Sequence, residues 1–249
     1  MSPALGRREP PDFNHVEKYP LRALIEDDSY KLSIPPTGVE RSLGLPWWWK
    51  HHDQDPRNAC VGFGLSAERS ITNHLQRKKE TGSDVTYRYD ADWLYDEALK
   101  IDEWPGEDDE GTSLRAGYNV LLRGHRRIQR GVSGPVVLAH GVSTYRWARS
   151  IDEIRAAIYS GLAVAVGTNW YYSMMAPFSQ NGEYWIDIRS PGDRNAGGHC
   201  YCLFRMSDRR QAFCIMNSWG SSWPPSWISY STLNRLLNEH GEAAVVTDR

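Results

Sequence analysis

The stretch His52-Asp53-Gln54-Asp55-Pro56-Arg57-Asn58-Ala59-Cys60-Val61-Gly62-Phe63 places a glutamine six residues ahead of a cysteine that opens a periodic apolar run. From Cys60 to about Lys79, the residues Cys60, Phe63, Gly64, Ala67, Ile71 and Leu75 recur at spacings of three or four. That spacing predicts a helix with one buried stripe and Cys60 at its start. A thiol is a weak nucleophile until something lowers its pKa, and a helix N-terminus and a distant imidazole are two devices for doing so. Far downstream stand Gly197-Gly198-His199 and Asn217-Ser218-Trp219-Gly220. Together Cys60, His199, Asn217 and Gln54 read as a nucleophile, its base, the group that orients the base and an oxyanion donor.

Outward from Cys60, Leu94, Ala98 and Leu99 suggest a second helix, and Leu114, Tyr118, Leu121 and Leu122 a third, capped by Thr112 or Ser113. A fourth begins at Ser150, where Glu153 completes a capping box, and stops near Gly161. Beyond it the pattern changes to β-compatible runs at 162–167, 183–188, 199–205, 211–217 and 243–247, interrupted by a helix over 231–239. Helices first and strands later read as an α+β fold with a cleft where two lobes meet, a helical lobe over about 55–160 and a β-rich lobe over about 161–249. Residues 1–39 form a proline-punctuated polar arm, too short to be a domain, which is expected to lie over the main body at 40–249 or to contact an assembly partner.

The runs on either side of Ser207-Asp208-Arg209-Arg210 read as a hairpin. With the loop centred on Asp208, His199 faces Asn217 directly, and cross-strand Cβ atoms lie about 5 Å apart, within reach of an imidazole-to-amide hydrogen bond. The same register sets Cys202 opposite Cys214, with Cys200 and Met216 on that face, so all three cysteines belong to the core. A slip of one residue reverses the faces. A metal site at Cys200-Tyr201-Cys202 with Cys214 is the alternative, and buried thiols are the preferred reading. His51 and His52 read as exposed or rim histidines, since no ligand pair stands at helical spacing. Trp47-Trp48-Trp49 reads as packing, and Glu107-Asp108-Asp109-Glu110 as a solvated loop.

The 249 residues suit one large domain, and a formal net charge of -2 excludes any strong case for nucleic acid as a partner. No stretch is long enough to span a bilayer, and the N-terminus lacks the apolar segment of a secretory signal, so no membrane partner and a cytoplasmic location are expected. Four cysteines in such a chain read as thiols. The excess of Arg over Lys fits a GC-rich bacterial or phage genome.

The Gln-x5-Cys spacing, the Gly-Gly-His that opens a strand, and the run Asn217-Ser218-Trp219-Gly220-Ser221-Ser222-Trp223 resemble the papain-like cysteine peptidases, from about Arg41 onward. The resemblance is to compact bacterial or phage members without a large propeptide. It implies a two-lobed fold with a helical lobe and an antiparallel, barrel-like β lobe. It also implies that Cys60 is the nucleophile and His199 its proton partner. Asn217 orients His199, Trp219 shields that bond, and Gln54 shares the oxyanion with the Cys60 N–H. Trp219, Gly198, Trp170 and Met174 are the expected substrate-binding residues, and Glu110-Gly111-Thr112-Ser113 is the expected counterpart of the segment that aligns the peptide backbone. The chain departs from the family where Arg57 stands in place of a disulfide cysteine of secreted relatives, where Val61 stands in place of the Trp that often follows the nucleophile, and where Pro224-Pro225-Ser226-Trp227 replaces the usual Gly-rich turn after Trp223.

The expected activity is hydrolysis of peptide or protein substrates through a Cys60 thioester, with no cofactor and no metal. An amidase, peptidoglycan hydrolase or transpeptidase using the same four residues is the first alternative. A virion-associated structural component that keeps the fold is the second.

Overall fold

Apolar residues at every third or fourth position from Cys60 form one long helix, ended by Gly82 in the left-handed conformation at φ 68°. The computed structural model describes residues 4–27, 32–44, 52–82, 87–106, 110–129, 137–139 and 141–247. In chain order the helices are α1 (Arg22–Ile25), α2 (Cys60–Thr81), α3 (Ala91–Leu99), α4 (Leu114–Arg123), α5 (Ile151–Tyr159) and α6 (Tyr230–Asn238). The strands are β1 (Glu40–Ser42), β2 (Tyr87–Tyr89), β3 (His125–Gln129), β4 (Val137–Ala139), β5 (Tyr145–Ala148), β6 (Val164–Tyr171), β7 (Phe178–Gln180), β8 (Glu183–Ile186), β9 (Asn195–Ser207), β10 (Ala212–Met216), β11 (Ser226–Ser229) and β12 (Glu242–Val246). Polar side chains start the helices where the sequence places them: Asp90, Ser113, Ser150 and Ser229 each accept a hydrogen bond from the backbone N–H three residues on. None of the described helices is long and apolar enough to cross a membrane.

The fold is α+β. One large sheet runs β5-β12-β6-β9-β10-β11-β8-β7, with β1 added to β9, and all its pairs are antiparallel except β11 with β8. The described strands leave this sheet open, so the expected barrel-like lobe is not a closed barrel. The helical half also carries a small sheet, β2-β3-β4, which helical periodicity does not reveal.

The hairpin register differs from the expected one. Phe213 pairs with Met206 and Cys214 with Arg205, and then a bulge shifts the pairing so that Met216 faces Cys202. Cys214 therefore lies opposite Arg205, not Cys202. The turn is centred between Arg209 and Arg210, where Ser207 pairs with Ala212, and not on Asp208, so the register already differs at the tip; the bulge after Cys214 then moves every later pair by one position. The conclusion about the thiols is unaffected, because Cys60, Cys200, Cys202 and Cys214 are all buried and free.

The core has two main parts. One joins β6, β9 and β10 to α2, α5 and α6 and includes Ile71, Ile158, Val164, Phe204 and Leu233. The other fills the space between the start of α2, α4 and the sheet with Val61, Leu65, Leu114, Tyr118 and Trp147. Helix α2 lies in both, with Ala67 and Ile71 in the first and Cys60 in the second. The arm enters the first part with Leu21, Leu24 and Leu32, of which Leu21 is wholly buried. Trp47-Trp48-Trp49, His51 and residues 107–109 lie outside the described residues.

Candidate active site

Cys60 is fully buried as the first residue of α2, and no side chain caps that end. Backbone N–H groups of Cys200, Gly6 and Val61 are directed at its sulfur. Burial nevertheless dominates and pushes the thiol up to about 12, against these hydrogen bonds and the nearby charge of Arg7. The adjoining N–H donors are those that would stabilise a thiolate once water is admitted.

His199 stands on β9 one residue before Cys200, whose N–H points at the Cys60 sulfur. His199 Nε2 lies 2.7 Å from Asn217 Oδ1, and the Ser218 N–H donates to the same oxygen at 2.7 Å. An amide oxygen only accepts, so Nε2 carries the proton and Nδ1 has the free lone pair. Nδ1 is buried without a hydrogen-bond partner. Trp219 stacks on one face of the imidazole at 4.6 Å and Trp170 meets it edge-on at 4.8 Å. This enclosure lowers the imidazole to about 4 through burial, with the Asn217 bond opposing. Cys60 and His199 are thus a neutral thiol and a neutral imidazole in this structure.

Gln54 reaches the site because its segment is bonded to the Asn217 run: Gln54 N–H donates to Ser218 O at 2.9 Å, and Gly220 N–H to His52 O at 2.9 Å. The Ser218 hydroxyl donates to Gln54 Oε1 at 2.5 Å. With Oε1 so occupied, the Gln54 amide nitrogen donates to Arg57 O at 3.0 Å and Ala4 O at 3.2 Å. Ser218 was not among the expected site residues, although its place between Asn217 and Trp219 is the signal that could have found it.

The cleft is filled by the chain's own arm. The Ala4 carbonyl accepts from Gln54 Nε2 and from Trp219 Nε1, the latter at 3.3 Å. Gly6 and Arg7 N–H groups both donate to Gly198 O, at 3.1 and 3.0 Å. Gly6 O accepts from Thr112 N–H at 2.8 Å, and Arg8 N–H donates to Thr112 O at 2.9 Å, a parallel bridge. A Cβ on Gly6 would stand 1.7 Å from Asn58 O, so only glycine passes the Asn58 backbone this closely. The Arg7 side chain turns inward to a salt bridge with Glu242 Oε2 at 2.8 Å.

Of the expected binding residues, Gly198 and Trp219 touch the arm. Trp170 and Met174 are fully buried, as Cys60 and His199 are, and the Trp170 ring packs edge-on against His199. His52, expected at the rim, is buried with its ring edge-on to Phe63 at 5.3 Å. Among the described residues no group of three His, Cys, Asp or Glu could hold a metal ion.

No protein-family model matches the sequence, and no curated protein matches it significantly. Solved structures do resemble it. Xylellain, a cysteine protease from Xylella fastidiosa, is 18% identical with a TM-score of 0.70, covering 100% of this chain and 98% of its own. Procathepsin B S9 from Trypanosoma congolense is 12% identical with a TM-score of 0.60, covering 86% of this chain and 79% of its own. Digestive procathepsin L2 from Tenebrio molitor is 16% identical with a TM-score of 0.60, covering 98% and 78%. At such identities the likeness is one of architecture, and the chain has the papain-like fold of these cysteine proteases.

Proposed function

We propose that the protein is a cysteine peptidase whose own residues 4–9 restrain it. The observation that carries this reading is the His199 ring, held by Asn217 through Nε2 with Nδ1 buried and unpartnered, on the strand residue next to Cys200, whose N–H is directed at the Cys60 sulfur. In the reaction His199 Nδ1 takes the thiol proton and the sulfur attacks a peptide carbonyl. The resulting oxyanion is met by Gln54 Nε2 and the Cys60 N–H. The imidazolium then gives its proton to the leaving amine, and water hydrolyses the thioester with His199 again as base.

The docked arm supports restraint in three ways. Ala4 O occupies the Gln54 donor that the oxyanion needs. The group turned toward the sulfur is the Gly6 N–H, which offers no electrophilic carbon. Covered from water, thiol and imidazole both stay neutral. Displacing the arm hydrates the pair, which lowers the thiol and raises the imidazole toward the ion pair.

The test is hydrolysis of a fluorogenic peptide mixture by the full chain, by Gly6→Val and by Gly6→Val with Cys60→Ala. Turnover that appears in Gly6→Val and vanishes without Cys60 is the expected result. Turnover that survives Cys60→Ala would contradict the assignment.

A further inference from the structure

Cys200 follows the base His199 directly, and hydrolysis makes no use of its side chain. Successive side chains on a strand point to opposite faces. His199 packs on Trp170 and Trp219, whereas Cys200 is turned onto α2 and shares a core cluster with Cys60, Val61 and Leu65. A Cβ on Gly64 would stand 2.5 Å from Cys200 Sγ, 3.4 Å from the Tyr201 nitrogen and 3.5 Å from the Cys200 carbonyl carbon. Glycine at residue 64 therefore admits that sulfur to the surface of the helix.

Residues four apart on a helix share a face, with Cβ atoms about 5–6 Å apart, so the Cys200 sulfur lies one turn along from Cys60. The N–H of the same residue is directed at the Cys60 sulfur. Cys200 thus touches Cys60 with its backbone and lies beside the next turn with its thiol. A disulfide closes Cα separations of about 4.4–6.8 Å, and rotation of the Cys60 side chain toward Gly64 is the movement that brings the two sulfurs together. A narrow void lined by Phe63, Gly64, Ala67, Cys200 and Met216 adjoins this place and leaves slack in the packing. The other two thiols are placed differently. Cys202 donates to Leu203 O at 3.6 Å, and Cys214 lies on β10 opposite Arg205.

We infer that Cys200 is the resolving thiol of Cys60, so that oxidation of Cys60 by a hydroperoxide ends in a Cys60–Cys200 disulfide. The Cys60 thiolate attacks one peroxide oxygen, the O–O bond breaks, and the other oxygen leaves as hydroxide, which makes Cys60 a sulfenic acid. The Cys200 sulfur then attacks the Cys60 sulfur. The S–S bond forms as the S–O bond breaks, and the departing hydroxide takes the Cys200 proton as water. Two thiols are oxidised and one peroxide is reduced to two waters. The disulfide withholds Cys60 from a peptide carbonyl and from the irreversible sulfinic acid, and a dithiol restores it. This rests on the peptidase reading for its effect on turnover, but not for the bond itself. Because the Gly6 N–H covers the sulfur, oxidation follows displacement of residues 4–9.

The test exposes the full chain carrying Gly6→Val to a small molar excess of hydrogen peroxide at neutral pH, blocks the remaining thiols and maps a digest by mass spectrometry. The expected product weighs about 2 Da less than the reduced chain, joins the Cys60 and Cys200 peptides, and returns to thiols with dithiothreitol. Cys200→Ala in the same background keeps the N–H directed at Cys60. It should leave Cys60 about 32 Da heavier, as the sulfinic acid, with about tenfold less of it recovered by dithiothreitol. Cys60 joined to Cys202 or Cys214, Cys60 oxidised with the Cys200 thiol intact, Cys60 left reduced, or recovery in Cys200→Ala equal to its parent would overturn the inference. The mapping requires no change at Cys200, so a folding defect in that variant cannot mask the answer. If the disulfide forms while no peptide is cleaved through Cys60, the peptidase reading fails and the link does not. If peptides are cleaved through Cys60 while Cys200 stays a thiol under peroxide, the link fails and the peptidase reading does not.

Discussion

Residues 4–9 and residues 13–27 and 32–39 belong to one N-terminal arm, yet they are held by different forces. The earlier segment is fixed by backbone hydrogen bonds to Gly198 and Thr112, by Arg7 on Glu242, by Glu9 on His240 at 2.6 Å, and by Arg8 over the Trp104 ring at 3.9 Å. Apart from the buried Arg7–Glu242 pair, each of these can be exchanged for water at small net cost. The later segment places Val16, Leu21, Leu24 and Leu32 in the two cores. It is also tied to β5 by Leu21 N–H to Trp147 O and Trp147 N–H to Tyr19 O. Apolar burial has no substitute in water. On the proposed reading the first segment is a removable strap, whereas the second is part of the body.

The sharpest test of that contrast is stability. Leu21→Ala should cost about 2–5 kcal/mol, as for large-to-small changes at fully buried sites, whereas Arg8→Ala should cost about 1 kcal/mol or less. Urea unfolding of both variants measures this, and similar losses would erase the distinction. By the same reasoning, removing residues 1–38 strips the core and is a poor probe of restraint.

Next in size is the oxyanion donor. Gln54→Ala in the Gly6→Val background should lower kcat by roughly 100-fold or more, with a smaller effect on KM. A change confined to KM would mean that Gln54 only seats the arm and the substrate.

Opening the strap comes third. Gly6→Val should raise the initial rate of peptide hydrolysis by about tenfold or more, the size expected for a backbone clash of 1–3 kcal/mol between the docked and open forms. Its thermal midpoint should stay close to that of the unaltered chain, because the apolar segment remains in place.

The smallest effect is on the pH dependence of stability. His199 is held at about 4 in the fold against an ordinary 6.5, so between these values the unfolded chain binds a proton that the folded chain refuses. Stability should therefore rise with pH from about 4 to 6.5. At the other end Cys60 is held at about 12 against 9.0, so the unfolded chain loses its proton first and stability should fall above pH 9. Replacing His199 with Gln should flatten the acid limb relative to the unaltered chain, as read from urea midpoints. An unchanged slope would mean that the ring is not held neutral. His125, also lowered to about 4 by burial, contributes in the same direction and remains in both proteins.

Much of this architecture is legible in the sequence where one interaction is local. The periodicity after Cys60 gives α2, and Ser113, Ser150 and Ser229 mark helix starts that their hydroxyls cap. His199 and Asn217 can be paired because they flank a hairpin, even though the bulge at Cys214 and Ile215 moves the register. That bulge has no compositional mark. The small sheet of β2, β3 and β4 is hidden for a similar reason, since its strands are short and lie among helices. Arg7 and Glu242 are 235 residues apart, and nothing near either one names the other. The one clue is Glu242 itself, a carboxylate opening the otherwise apolar strand Glu242–Val246, where a charge must have a partner. Proline spacing makes residues 1–39 look like one polar arm, and only the burial of Leu21 and Leu24 divides it.

The most direct test of a peptidase strapped by its own residues 4–9 is intact-mass labelling with an epoxysuccinyl peptide at neutral pH, on the full chain, Gly6→Val and Gly6→Val with His199→Ala. Slow labelling of the full chain, rapid single addition at Cys60 in Gly6→Val, and its loss without His199 are the predicted results. A folded Gly6→Val protein that takes no label, or labels equally fast without His199, would contradict the account.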